Sequence, residues 1–579
     1  MNSGMPVATV AAVVLTAVAT VVVGAYGVRM ARTTSDFLVA SRTVSSRWNA
    51  AAISGEYLSA ASFLGVAGLI AKYGADALWY PIGFTAGYLG LLLFVAAPLR
   101  RSGAYTVPDF AEFRLGSTAL RKLAMVVVII ICVLYTVPQF QGAGLALGIV
   151  LGIPRWVGAA AVGLIVIANV VGGGMRSITF VQAFQYWLKL TAIAIPALVL
   201  AAHLLGANPF AAPAGATTAA AVFAADTTVS VTTTVRAEVG APITVLEDGA
   251  ARTLAAGEHE FASGTEVVFP AGATVPGIAA TPPTTAAWMT PGWGFGGAHP
   301  LFQVLSLIVG IFLGTMGLPH VLVRFYTNPD GRAARATALS VIALLGLFYL
   351  FPTILGVLTR LWAPQLLLTG ASDAAVLLLP GALLSGWVGQ SLAALVAAGA
   401  IAAFLSTSSG LLVSVAGVLS TDVLPGRVRD FRFAAVLAGA VPLALAIFTQ
   451  TLDLSRIVGL VFAVAASTLC PLLMLGIWWR GLTAAGAAAG MTAGGLVSGA
   501  AILVTAGGGL SAELWDGWPA VIVSHPAAVT VPLAFLVMIG VSLATRKDVP
   551  RDVARLLTRM HVPEKLGVGA DRETRLRLD

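Results

Sequence analysis

Residues 123–151 carry no charged side chain, and that run constrains the fold more than any other feature. At 1.5 Å per helical residue it is longer than the roughly 30 Å hydrocarbon core of a bilayer. Similar runs recur through the 579-residue chain, which is 58% apolar and only 10% charged, with a mean hydropathy of +0.92. Such a composition belongs to an all-α membrane protein. Thirteen transmembrane helices are expected, at 5–28, 48–71, 77–99, 123–151, 156–171, 184–205, 301–323, 337–357, 383–413, 433–448, 457–478, 484–504 and 527–544. The first of them lacks a small-residue cleavage pattern and is read as a retained helix, not a signal peptide.

Charge sets the expected orientation. With the N-terminus outside, the inner loops and the C-terminal tail hold 26 of the 33 basic residues, as the positive-inside rule requires. That reading places the chain in the cell membrane with its C-terminus in the cytoplasm. It also accounts for the basic balance without a nucleic-acid partner. Four segments follow: residues 1–205, the first helix plus a first repeat; 206–300, an acidic extracellular insertion; 301–545, a second repeat plus additional helices; and 546–579, a basic cytoplasmic tail. The insertion alternates apolar and polar residues at Thr228-Val229-Ser230-Val231 and Glu266-Val267-Val268-Phe269, which predicts strands in a small β-rich cap. A disordered Ala/Thr-rich linker is the alternative. In the tail, Arg551, Arg555 and Arg559 recur every four residues and predict a solvated or headgroup-touching helix. Cys132 and Cys470 both sit in apolar runs, so neither a disulfide framework nor a zinc cluster is indicated.

Three polar interruptions of the spans carry the chemistry. In the second, Gly55-Glu56-Tyr57-Leu58-Ser59 places Gly55 about 12 Å beyond Arg47 along the helix axis, near the bilayer midplane, with the Glu56 carboxylate next to it. An intramembrane carboxylate is costly and marks an ion or substrate route. A helix broken at 55–57 would expose carbonyls that lipid tolerates only around a cavity or a cation. In the ninth span, Ser406-Thr407-Ser408-Ser409 offers four successive hydroxyls that cannot all face one neighbour. They either bond back to their own helix or help to cage a hard cation, which prefers oxygen. In the seventh, Gly314-Thr315-Met316-Gly317-Leu318-Pro319-His320 predicts a second broken helix. Its histidine is a proton relay or a structural residue. The second and seventh spans each begin a block of five, the spacing of an inverted-repeat transporter.

These residues resemble the sodium:solute symporter family, most closely its cation/acetate and monocarboxylate branch. The likeness rests on Gly55-Glu56-Tyr57-Leu58-Ser59-Ala60-Ala61-Ser62-Phe63-Leu64-Gly65, on Gly172-Gly173-Gly174-Met175-Arg176-Ser177-Ile178-Thr179-Phe180-Val181-Gln182, and on Gly314–His320 followed by Val323-Arg324-Phe325-Tyr326-Thr327. The branch usually carries Asp where Glu56 stands, and some members carry an essential Asp at the position of Tyr57. The resemblance implies a five-plus-five inverted-repeat (LeuT-like) core. It also implies a sodium site of Gly55, Leu58, Ala403, Ser406 and Thr407. Glu56 is the expected coupling residue, and Tyr57, Ser59, Tyr135, Gln139, Gln141 and Thr315 are the expected substrate contacts.

The function expected from the resemblance is import of a short-chain monocarboxylate such as acetate, propionate or pyruvate. Sodium is the expected coupling ion, with protons as the alternative, and the partners are the small carboxylate and the lipid bilayer. Another small solute, such as an amino acid, and a transporter-like membrane sensor are the competing functions. An enzyme is not expected, because the six histidines are scattered and form no catalytic or metal constellation.

Overall fold

The computed structural model describes residues 7–28, 40–42, 44–206, 221–295, 298–424, 428–448, 454–506 and 517–566. Arg29, Arg32, Arg427 and the tail beyond residue 566, all used in the charge count, lie outside these. The first part of the chain forms α1 (Val7–Val28), α2 (Ser46–Tyr57), α3 (Val66–Tyr73), α4 (Trp79–Gly90), α5 (Ala96–Ser102), α6 (Val107–Leu115), α7 (Thr118–Leu151) and α8 (Arg155–Leu205). After a module of seven strands come α9 (Thr285–Met289), α10 (Pro300–Gly317), α11 (Pro319–Phe325), α12 (Gly331–Trp362), α13 (Ala375–Leu383), α14 (Gly386–Asp422) and α15 (Val428–Phe448). The chain then forms α16 (Leu454–Ser467), α17 (Leu469–Trp478), α18 (Ala484–Ala506), α19 (Trp518–Ser524), α20 (Ala527–Ala544) and α21 (Val553–His561).

Among the described residues, eleven helical runs are long and apolar enough to cross a membrane. Two of these runs, over Ala61–Ser102 and Arg155–Leu204, each take in two of the thirteen expected spans. Either run is about twice what a bilayer needs, and each carries a glycine at positive φ, Gly74 (φ 60°) and Gly174 (φ 53°). At Gly74 a side chain would also strike the carbonyl oxygen of Trp288, 1.8 Å from the Cβ position. Leu15, Leu93, Ile130, Leu164, Leu350, Leu503 and Leu536 are exposed, as residues facing lipid tails must be.

Among the described residues, three spans are broken. The first break falls at Leu58 (φ −71°, ψ 78°), one residue beyond the expected 55–57, and a π-turn over Ala61–Gly65 follows it. Gly55 is inside α2, and its lack of a side chain serves packing: a Cβ there would lie 2.1 Å from the Gln182 carbonyl of α8. The second break is at Leu318 (ψ 117°), between α10 and α11, where glycine and proline predict it. A third, at Thr468 (φ −127°, ψ −75°) between α16 and α17, has no glycine and was not expected. The described core packs α14 against α8 and α7, α2 against α8, and α10 against α4 and α16.

Within the insertion, the described residues 221–295 form two antiparallel sheets, with strand orders β1-β6-β3-β4 and β5-β2-β7. The strands are β1 (Thr227–Ser230), β2 (Val235–Val239), β3 (Ile243–Glu247), β4 (Ala250–Leu254), β5 (Gly257–Phe261), β6 (Glu266–Phe269) and β7 (Gly277–Ile278). Strand β2 alternates buried Val235, Ala237 and Val239 with exposed Arg236 and Glu238, the pattern of a sheet with one wet face. The module shares a core with Ala71, Leu367 and Leu368 of the helical body. Polar pins add to that packing: Trp288 Nε1 donates to Ile70 O at 2.8 Å, and Asp76 accepts from the amides of Gly292 and Gly294. At the other end of the bundle, α21 docks through Leu557 and Met560 and Arg101 pairs with Glu564 at 3.3 Å. The tail helix is therefore packed on protein along one face, with Arg551 and Arg555 exposed.

Candidate functional site

Breaking α2 frees main-chain carbonyls in a place without water, and each must find a donor. Ser54 O takes the amide of Leu58 at 3.0 Å, Tyr57 O that of Ser59 at 2.8 Å, and Ser59 O that of Phe63 at 2.9 Å. Glu56 O accepts from Thr407 Oγ1 of α14 at 2.6 Å. The two left over, Gly55 O and Leu58 O, both accept from the ammonium of Lys189 on α8, the second at 2.7 Å. Lys189 Nζ also donates to Ser406 Oγ at 2.8 Å, and Ser406 Oγ itself donates to Ala403 O at 3.1 Å.

The five expected sodium ligands thus do gather, but what three of them hold is a cation carried by the chain. Gly55, Leu58 and Ser406 bond Lys189, Ala403 is one bond removed, and Thr407 holds Glu56 O. The oxygens suit a hard cation, yet a sodium ion does not fit among them alongside the ammonium. Two unit charges 4 Å apart repel by roughly 4 kcal/mol even at an effective dielectric constant near 20.

Beside the cage lies a buried ion pair. Arg324 Nε donates to Glu56 Oε2 at 2.6 Å, with the two side chains 0% and 2% exposed. Its other nitrogens donate to Thr179 Oγ1 at 2.8 Å and to Gln182 Oε1. Gln182 Nε2 in turn donates to Ser406 O at 2.8 Å, so one network joins α2, α8, α11 and α14. Glu56 Oε1 has no hydrogen-bond partner. It lies against Gly410, where a Cβ would sit 2.0 Å from it. Glu56 is therefore an ion-pair partner of Arg324. Arg324, counted from sequence as a loop cation that orients the chain, is instead fully buried.

The expected substrate contacts divide. Tyr57 OH and Thr315 Oγ1 share a hydrogen bond at 2.7 Å; Tyr57 OH can also donate to Phe84 O at 3.4 Å and Thr315 Oγ1 to Ile311 O at 2.8 Å. Tyr135 OH reaches Ser59 Oγ at 3.5 Å. Its ring meets His320 edge-on at 5.4 Å and Phe462 at 6.1 Å, and Tyr57 meets Phe462 at 6.3 Å. Tyr57, Ser59, Tyr135 and Thr315 therefore form one cluster where the three broken helices meet. Gln139, one turn beyond Tyr135 on the same face of α7, is buried with both amide ends unpartnered, as are both ring nitrogens of His320. Unpaired buried polar atoms are rare and call for a reason. Gln141 lines a separate recess with Leu64, Leu377, Asp373 and Phe404.

Sequence reasoning missed Lys189, Gln182, Thr179 and Phe462. The rule that singled out Glu56 also applies to Lys189, an ionisable residue within an apolar run. Gln182, Tyr186 and Lys189 share one helical face (i, i+4, i+7), which is the face turned to the break.

Comparison with known proteins settles the family. The model of the sodium:solute symporter family matches residues 37–246 and 273–494. This chain belongs to the sodium:solute symporter family. It is 30% identical over 570 residues to a monocarboxylic acid transporter of Corynebacterium glutamicum, covering 94% of this chain and 92% of that one. It is 29% identical over 553 residues to an uncharacterized symporter, YwcA, of Bacillus subtilis, covering 92% of this chain and 94% of the relative. Its fold matches that of a Na+-coupled sialic acid symporter solved in a substrate-bound outward-open state, with a TM-score of 0.60 at 13% identity, over 92% of this chain and 98% of that one. The architecture is the LeuT-like inverted repeat expected from the sequence, and the chain is a multi-pass membrane transporter, not an enzyme.

Proposed function

We propose that this symporter takes up a short-chain monocarboxylate, such as acetate, propionate or pyruvate, by alternating access across the cell membrane, with the β-module outside and α21 inside. One observation carries the substrate class. Around the break in α2, the buried ionisable groups among the described residues are two basic ones, Lys189 and Arg324, and one acidic one, Glu56. A buried excess charge is costly, and a monoanion is the solute that cancels it. Gln139 and His320 supply nearby polar atoms without protein partners, and the Corynebacterium relative supports the same class. In vesicles, labelled acetate uptake should saturate and be competed by propionate and pyruvate. Competition by neutral amino acids or urea at equal potency would sink the carboxylate reading.

A cation gradient drives the cycle in this reading. Sodium is supported by the family and by the sialic acid symporter. One sodium with one acetate moves no net charge, so membrane potential adds drive only if further cations move. The ammonium in the cage favours a second reading of that position, developed next.

A further inference from the structure

We propose that the ammonium of Lys189 is a tethered cation that takes the place of a coupling ion in the cage between the broken α2 and α14, so that these helices close on each other without sodium. The stoichiometry of the contact argues for it. A lysine ammonium has three N–H donors and no acceptor. Here three oxygens, Gly55 O, Leu58 O and Ser406 Oγ, receive all three. Two of those oxygens are the carbonyls that the break leaves without an amide, which is the service a bound cation performs at an unwound segment.

The surroundings are built for this side chain. Gly55 admits the close approach of α8, since a Cβ there would stand 2.1 Å from Gln182 O and 3.4 Å from Tyr186 Cβ, and so the lysine stem reaches the cage. Thr407 commits its hydroxyl proton to Glu56 O, tying α14 to α2 beside the ammonium. Lys189 is 0% exposed, as are Ser406 and Thr407, so water does not compete. The cage oxygens come from two elements, the broken α2 and α14, and the cation that joins them belongs to a third, α8.

The inference deepens the symporter reading by replacing sodium at this position, and its first test needs no substrate. Purified full-length protein is melted in sodium chloride and in choline chloride at equal ionic strength. The native chain should melt at the same temperature in both. Lys189→Ala, which empties the cage, should melt lower in choline and regain stability selectively with sodium, since a ligand that binds only the folded state raises its stability. A sodium-dependent rise in the native chain that disappears in Ser406→Ala would overturn the inference, and that comparison stands even if Lys189→Ala does not fold. In proteoliposomes, native acetate uptake should persist within twofold when choline replaces sodium. A sodium requirement abolished by Ser406→Ala would overturn it there as well. The melting comparison decides the cage even where monocarboxylate uptake fails.

Discussion

Removing either member of the Glu56–Arg324 pair should destabilise the protein, and by unequal amounts that the hydrogen-bond inventory sets. Arg324 spreads its guanidinium over Glu56 Oε2, Thr179 Oγ1 and Gln182 Oε1. In Glu56→Gln it keeps the last two and loses only the charge partner. Glu56 has no such reserve: Oε1 is unpartnered and Oε2 depends on Arg324. Arg324→Met therefore leaves a buried carboxylate with no direct hydrogen bond, the situation that costs about 3–5 kcal/mol. Glu56→Gln should cost about half as much, nearer the 1–3 kcal/mol of a single lost buried partner. The double variant Glu56→Met with Arg324→Met removes both charges and should recover most of the loss, because well-packed apolar replacements of buried pairs are often neutral. Melting of the native chain, Glu56→Met, Arg324→Met and the double variant in detergent forms a double-mutant cycle, with a coupling of at least about 2 kcal/mol expected. Equal losses in Arg324→Met and Glu56→Gln, or a double variant equal to the sum of its singles, would refute the reasoning.

Gln139→Leu separates a substrate contact from a structural residue. Its amide has no protein partner, so an apolar replacement of similar volume should leave the melting temperature unchanged or raised, while acetate uptake falls at least about tenfold through the lost donor. A drop in stability with unaltered uptake kinetics would show the residue to be structural. Gly370→Ala tests the seat of the β-module: φ is +73° there, and a Cβ would stand 1.9 Å from Thr233 O. The expected result is faster limited proteolysis within 221–295 at unchanged helical circular dichroism, and an unchanged cleavage rate would rule out that contact as a pin.

Much of the architecture was legible because lipid imposes local rules. A spanning helix must be apolar over about 20 residues and must satisfy its own backbone. Uncharged runs therefore mark the spans, and Gly317 with Pro319 mark a break, before any tertiary contact is known. The same locality explains the misses. The break after Gly55 falls at Leu58, because Gly55 answers to the close approach of α8 and not to the chain's turn. The break at Thr468 has no glycine at all. It lies opposite Gly314 and Gly317, whose Cβ positions would clash with Phe462 O at 2.5 Å and Ala465 O at 2.4 Å, so packing of α10 against α16 accompanies it.

What the amino-acid order determined alone was a bundle of interrupted membrane helices, the oxygen atoms freed at the interruption in α2, and a sodium:solute symporter pattern. What the tertiary structure decided was which cation those oxygens meet. Lys189 lies 131 residues from Leu58 and 217 from Ser406, and Arg324 lies 268 from Glu56. In one dimension a lysine in a span reads the same whether it snorkels to a headgroup or turns inward, because its long flexible stem permits both. Only the packing of α8 across Gly55 brings the ammonium within bonding distance of the broken helix.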